Sequence, residues 1–193
     1  LVLDVQLDLA IFAIPQSDEL KLDQASAISA CVSKWRKIHP ATVPVAAKAC
    51  SNYLNGYLVR KDANNRGFDI GIALDTDGFL AEGSIESVFI VKDGVLKTPP
   101  LGRILSSITR MSILEAAAKI GIPAREAPIS AEELSDADEV FTCHTGIKVE
   151  PIARLDNREL DAPGPVTRQV MQLMNDIIEF KDERFMDSFQ PLD

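Results

Sequence analysis

Histidine and cysteine are scarce in this sequence: two histidines and three cysteines among 193 residues. Cys143 and His144 are adjacent, but His39 is the only other histidine, so a zinc-type set of four nitrogen and sulfur ligands is not specified. Cys31, Cys50 and Cys143 are odd in number and widely spaced. That excludes a short disulfide framework and predicts free thiols in a reducing, cytoplasmic compartment. Positive charge is in deficit, with 20 Lys and Arg against 29 Asp and Glu and a net charge of −9. This argues against nucleic acid or an anionic membrane surface as the main partner. No apolar run reaches the length of a membrane-spanning helix, and no signal peptide is visible. A Gly-rich phosphate loop is missing, and Asp75 and Asp77 lack the other ligands of a calcium loop, so they read as turn residues. There is no internal repeat and no initiator methionine. The strand-like start Leu1-Val2-Leu3-Asp4 predicts that an N-terminal part precedes it.

What is present is enough for a folded core: 46% hydrophobic and 25% charged residues. Residues 1–15 alternate and predict one or two strands ending at Pro15, and the polar residues 16–24 predict a linker. Residues 27–36 read as a strand, with a helix as competitor because alanines weaken the β signal. A helix follows over 49–63, where Tyr53, Leu54, Tyr57 and Leu58 recur at helical spacing, and Asn64-Asn65-Arg66-Gly67 ends it. Two hairpins come next. Residues 70–74 and 79–82 flank Asp75-Thr76-Asp77-Gly78, and residues 87–91 and 95–98 flank Lys92-Asp93-Gly94. A helix over 108–120 has Ser106 or Ser107 as N-cap and Gly121 at its end. Ser130-Ala131-Glu132-Glu133 is a capping box opening a short helix. Residues 138–143 and 147–155 predict strands. Gly164-Pro165 starts a last helix with Val166, Val170, Met171, Met174, Ile177 and Ile178 on one stripe. The charged tail after Phe180 is expected to be loosely held. The sum is an α/β fold of hairpins and flanking helices.

Candidate chemistry starts at Lys48, a single cation in Val43-Pro44-Val45-Ala46-Ala47-Lys48-Ala49. An amine nucleophile needs partial desolvation, which such surroundings would supply. A snorkelling surface lysine fits the same stretch. Glu82 is a lone carboxylate ending a hairpin strand, and burial would demand a partner for it; a solvated strand end is the alternative. Residues 105–110, Leu-Ser-Ser-Ile-Thr-Arg, place free N–H groups and hydroxyls at a helix N-terminus, where anions bind. Thr142-Cys143-His144-Thr145-Gly146 is a strand followed by a small polar turn. Nothing in the sequence ties Cys50 to His144 as a nucleophile and base.

Taken in order, Lys48-Ala49-Cys50-Ser51-Asn52-Tyr53-Leu54, Gly71-Ile72-Ala73-Leu74-Asp75, Gly78-Phe79-Leu80-Ala81-Glu82-Gly83-Ser84, Lys92-Asp93-Gly94, Thr98-Pro99-Pro100, Ile108-Thr109-Arg110 and Gly164-Pro165-Val166-Thr167 resemble the class IV aminotransferases. These are the fold-type IV enzymes that use pyridoxal 5'-phosphate (PLP), and the branched-chain amino acid aminotransferases look nearest. The resemblance covers residues 35–174. It implies a division into the end of a small N-terminal domain (1–15), a linker (16–24) and a large PLP-binding domain (25–193). It implies that Lys48 holds PLP as a Schiff base and that Glu82 faces the pyridine nitrogen. Leu105, Ile108, Thr109 and Thr145 would cup the phosphate, Tyr53 would lie near the phenolic oxygen, and the Thr145-Gly146 turn would receive the substrate carboxylate. A homodimer acting on an apolar amino acid and 2-oxoglutarate follows from the same likeness. A D-amino acid aminotransferase or an aminodeoxychorismate lyase would share these residues, and a non-catalytic domain could keep the fold. The chain departs from the pattern at Ser87, where asparagine is common, and at His144 and Gly146, where other small residues are usual. The family's phosphate-binding arginine belongs to the N-terminal domain, which this chain largely lacks.

Overall fold

The computed structural model describes residues 10–12 and 26–188. The strands expected over 1–15 and the linker over 16–24 lie outside them, except for 10–12, which form no strand. The elements in chain order are β1 (Ile28–Val32), a 3-10 turn (Cys50–Asn52), α1 (Tyr53–Asn65), β2 (Ile70–Leu74), β3 (Leu80–Gly83), β4 (Ser87–Lys92) and β5 (Val95–Thr98). Then come α2 (Ile108–Lys119), β6 (Ala124–Glu126), α3 (Ala131–Ser135), β7 (Glu139–Cys143), β8 (Glu150–Leu155), β9 (Arg158–Glu159), α4 (Pro165–Ile178) and a 3-10 segment (Glu183–Ser188). The fold is mixed α/β, and residues 28–32 take the strand rather than the helix. Both hairpins form, with Gly78 and Gly94 at positive φ. Ser107 and Ser130 cap α2 and α3 by accepting from the backbone N–H three residues on.

The strands join in one sheet of order β3-β2-β1-β8-β7-β4-β5-β6, with β9 beside β8. β1 runs parallel to β2 and β8, while β4 is antiparallel to β5 and β7. This order forces a strong curl. β3 and β4 are five strand spacings apart in the sheet, about 24 Å if it were flat, yet only Ser84, Ile85 and Glu86 join them, a link reaching roughly 14 Å. The sheet bends until β3 approaches β4, and Gly83 N–H closes the link on Glu86 O at 2.7 Å. The bend leaves a cavity at that seam.

Two apolar groups hold the sheet. Ile72, Leu80, Val88, Ile90, Val140 and Ile152 form one with Leu134 of α3. Phe89, Val91, Leu96 and Phe141 form the other with Ile113 of α2 and Val170, Met171 and Met174 of α4. Phe89 and Phe141 are directly opposite in the β4–β7 register, and their rings stack with centroids 5.0 Å apart.

Four expectations need correction. Tyr53, Leu54 and Tyr57 are exposed, and α1 instead turns Val59, Asp62 and Ala63 inward. The helix approaches β2 and the Ser84 turn too closely for large side chains, and glycines mark those contacts. Ile178 is exposed, so the α4 stripe ends at the partly buried Ile177. The strand expected from residue 147 is β8, which begins at Glu150. Phe185 in the tail is buried against Ala116 and Leu173, so at least that residue is held.

Asp62 ties α1 to the segment after β1. It accepts from Ser33 Oγ at 2.9 Å and Lys34 N–H at 3.1 Å, with Lys34 Nζ and Arg66 Nη1 within 4 Å. Burial works to raise its pKa, but these hydrogen bonds and charges outweigh it and hold the carboxyl below the ordinary range. A depressed carboxylate contributes stability that is present above its unfolded pKa and lost as pH falls through its folded one. Asp62→Ala is therefore expected to cost about 2 kcal/mol in urea unfolding at pH 7. The gap to the unmodified protein should shrink below the ordinary aspartate range; a gap that is the same at low pH would contradict this account.

Candidate active site

The cavity at the seam has a volume of about 320 Å³. Its walls come from the segment before α1, the first turns of α1, the β3–β4 link, the N-terminus of α2 and the turn after β7. Lys48, Tyr53, Glu82, Leu105, Ile108 and Thr145 all line it. Thr109 does not; it is buried one residue further along α2. Gly146 is exposed and also outside the lining.

The loop before Lys48 and the Glu82 carboxylate have visible supports. Asn52 Nδ2 donates to Pro44 O and Ala47 O, both at 3.3 Å, which ties down the loop before Lys48. Lys48 itself is exposed, so the residues described here do not supply the desolvation its apolar neighbours led us to expect. Val45 is buried, but Ala46 and Ala47 are not. Among the described residues Lys48 has no ion pair.

Glu82 is half-buried, and each of its oxygens has a partner. Its Oε1 pairs with Lys37 Nζ, and its Oε2 accepts from Leu105 N–H at 3.0 Å. The carboxylate thus spans from the segment after β1 to the entry of α2. Ser107 caps α2 through Arg110 N–H at 3.4 Å, while helix geometry leaves the N–H groups of Ile108 and Thr109 without an acceptor inside the helix. Leu105 N–H is spent on Glu82. The free donors at this end are therefore those of residues 108 and 109.

The turn after β7 carries a constraint of its own. Gly146 N–H donates to His144 Nδ1 at 3.1 Å, so the ring must be unprotonated at that nitrogen. Burial lowers the His144 pKa below its ordinary value; Glu86 opposes this, and Arg60, Lys148 and Lys48 add to it. Glu86 is buried and paired with Arg60. Cys143 is buried and its thiol is pushed up to about 12 by desolvation, while Cys50 is exposed and outside the lining. The pairing of Cys50 with His144 is not assembled.

Three supporting residues escaped the sequence reading: Lys37, Asn55 and Gly56. Lys37 lies one residue past the stretch 27–36 read as a strand, and a cation there carries no signal of its own. Asn55 and Gly56 had none, because their partners lie 19 and 28 residues away.

An amine, an anchored carboxylate and a helix N-terminus around one cavity suit a small molecule with an electrophilic carbon, a protonated nitrogen and an anionic group. Fold and site thus define an α/β protein with a small-molecule cavity equipped for amine chemistry. The chain belongs to the amino-transferase class IV family, whose pattern matches residues 3–155. It is 42% identical over 171 residues to a branched-chain-amino-acid aminotransferase of Salmonella typhimurium, covering 86% of this chain and 55% of that protein. Among solved structures, a branched-chain aminotransferase from Thermoproteus uzoniensis with norvaline superposes with a TM-score of 0.84 at 38% identity, over 89% of this chain and 58% of that one. The PLP-form of a Thermobaculum terrenum branched-chain amino acid aminotransferase gives a TM-score of 0.84 at 34% identity, over 86% and 56% of the two chains. The chain spans about half the length of the relatives it matches. No helix of the described residues is long and apolar enough to cross a membrane.

Proposed function

We propose that the protein is a PLP-dependent aminotransferase moving an amino group between a branched-chain or other apolar amino acid and 2-oxoglutarate. The observation that carries this is the meeting of Lys48, Glu82 and the α2 N-terminus around one cavity. The cavity also fits the cofactor in its donor set, and Ser84 Oγ in its wall is buried without a hydrogen-bond partner. When bound, PLP supplies an aldehyde that captures amino groups and a ring that accepts electron density. Lys48 would hold it through the ε-amine and carry protons at the reacting carbon. Glu82 would accept a hydrogen bond from the ring nitrogen. The N–H groups of Ile108 and Thr109, the hydroxyl of Thr145 and the backbone at Leu105 would frame the phosphate, with Tyr53 near the ring's phenolic oxygen. The Thr145-Gly146 turn would receive the substrate carboxylate, and for Gly146 this requires its N–H to leave His144.

The substrate class rests on the relatives and structural neighbours, which are named branched-chain aminotransferases. They do not favour a D-amino acid aminotransferase or a lyase. A homodimer is part of the same reading, supported by the exposed apolar residues Tyr53, Ile85 and Ile108 on the cavity walls. So is the division into residues 1–15, 16–24 and 25–193, supported by the polar stretch 16–24 that follows the alternating residues 1–15 in the sequence. A cytoplasmic location is supported by the three free thiols. The test is an assay of the PLP-loaded protein with L-leucine, D-alanine and aminodeoxychorismate. Glutamate formation from L-leucine and 2-oxoglutarate is expected, and no uptake of PLP at all would sink the proposal.

A further inference from the structure

Two lysines line the cavity, and the one that burial singles out is Lys37, not Lys48. The Lys37 side chain is only 11% exposed and its ammonium meets Glu82 Oε1. Its backbone is clamped on both sides. Lys37 N–H donates to Leu74 O at 2.8 Å, continuing the β1 side of β2, while Asn55 of α1 accepts from Ile38 N–H at 3.2 Å and donates to Arg36 O at 2.9 Å. Glu82 is therefore gripped by three elements: its own strand β3, the clamped segment carrying Lys37, and the entry of α2 through Leu105. A carboxylate offers about four lone-pair sites, and these two partners leave room for one more donor from the cavity.

The geometry points to Lys37 as a positioning residue that aims Glu82 at a protonated ring nitrogen in the cavity. It rests on the proposed function, in which Glu82 faces that nitrogen. A carboxylate already fixed in place loses little rotamer freedom when the ligand arrives. Without Lys37 it keeps one backbone contact and can turn away. The competing role is purely structural, an ion pair that staples residues 36–38 to β3 and has no bearing on the ligand.

The ligand's own atoms separate the two. Equilibrium binding is measured with pyridoxamine 5'-phosphate, which has no aldehyde and so binds without a covalent link, and with its 1-deaza analogue, which has carbon in place of the ring nitrogen. Lys37→Gln is expected to weaken pyridoxamine phosphate about tenfold, the factor that one charge-assisted contact is worth. The deaza analogue should change less than about twofold, Lys37→Arg should restore binding, and Lys37→Gln should add nothing in a Glu82→Gln background. Equal losses for both ligands would assign Lys37 the structural role and overturn the inference, as would unchanged binding of pyridoxamine phosphate. Failure of the unmodified protein to bind either ligand would overturn the proposed function and this inference together.

Discussion

Lys48→Ala is expected to abolish the visible absorption band of PLP-loaded protein and to lower turnover by about 10³-fold or more, the scale of losing a nucleophile that is also the acid–base group. The cavity holds two lysines, and only one can serve. Lys37 is the more buried of the two. Its Nζ is nevertheless engaged with Glu82, and a salt-bridged ammonium has no lone pair to attack a carbon. Lys48 has no such partner among the described residues, and its loop is tied back by Asn52. Borohydride reduction of the PLP-loaded protein followed by peptide mass spectrometry checks the assignment directly. The label should sit on Lys48, and recovery on Lys37 would reverse the roles argued for both.

How far such roles are legible in the sequence depends on the range of the interaction. Local signals were sound. The apolar run of β2, the turn glycines Gly78 and Gly94, the caps Ser107 and Ser130, and the Gly-Pro opening of α4 all act within a few residues, and each sits where the sequence places it. Elements decided by pairing were silent. β6 is a three-residue strand, Ala124–Glu126, made by parallel bonding to β5, and β9 is two residues beside β8. Neither has an apolar alternation of its own. The site divides the same way. Motif order points to Lys48, Tyr53, Glu82, Leu105, Ile108 and Thr145, which line one cavity, and to Thr109 and Gly146, which do not. What supports them is long-range: Lys37 lies 45 residues from Glu82, and no pattern in either stretch announces the other.

Gly56→Ala is expected to destabilise the protein by about 3 kcal/mol, the upper end for overpacking a tight contact, and to disturb the site with it. Propensity alone forecasts the opposite sign, since alanine is favoured over glycine inside a helix by about 1 kcal/mol. The contact decides against propensity. A Cβ at position 56 would lie 2.0 Å from Ser84 O and 3.1 Å from Ser84 C. Both are backbone atoms, and no rotamer change can move them aside. Ser84 is held in a three-residue link between β3 and β4, closed by Gly83 N–H on Glu86 O, with Glu86 gripped by Arg60 from α1. Either α1 lifts from the sheet or the link shifts, and Glu82 is two residues from that link. The loss should therefore appear twice: as a lower urea midpoint and as weaker binding of PLP. Lys61→Ala, at an exposed position of the same helix, should stay within about 0.5 kcal/mol. A Gly56→Ala protein as stable as the unmodified one would mean that α1 does not press on the β3–β4 link.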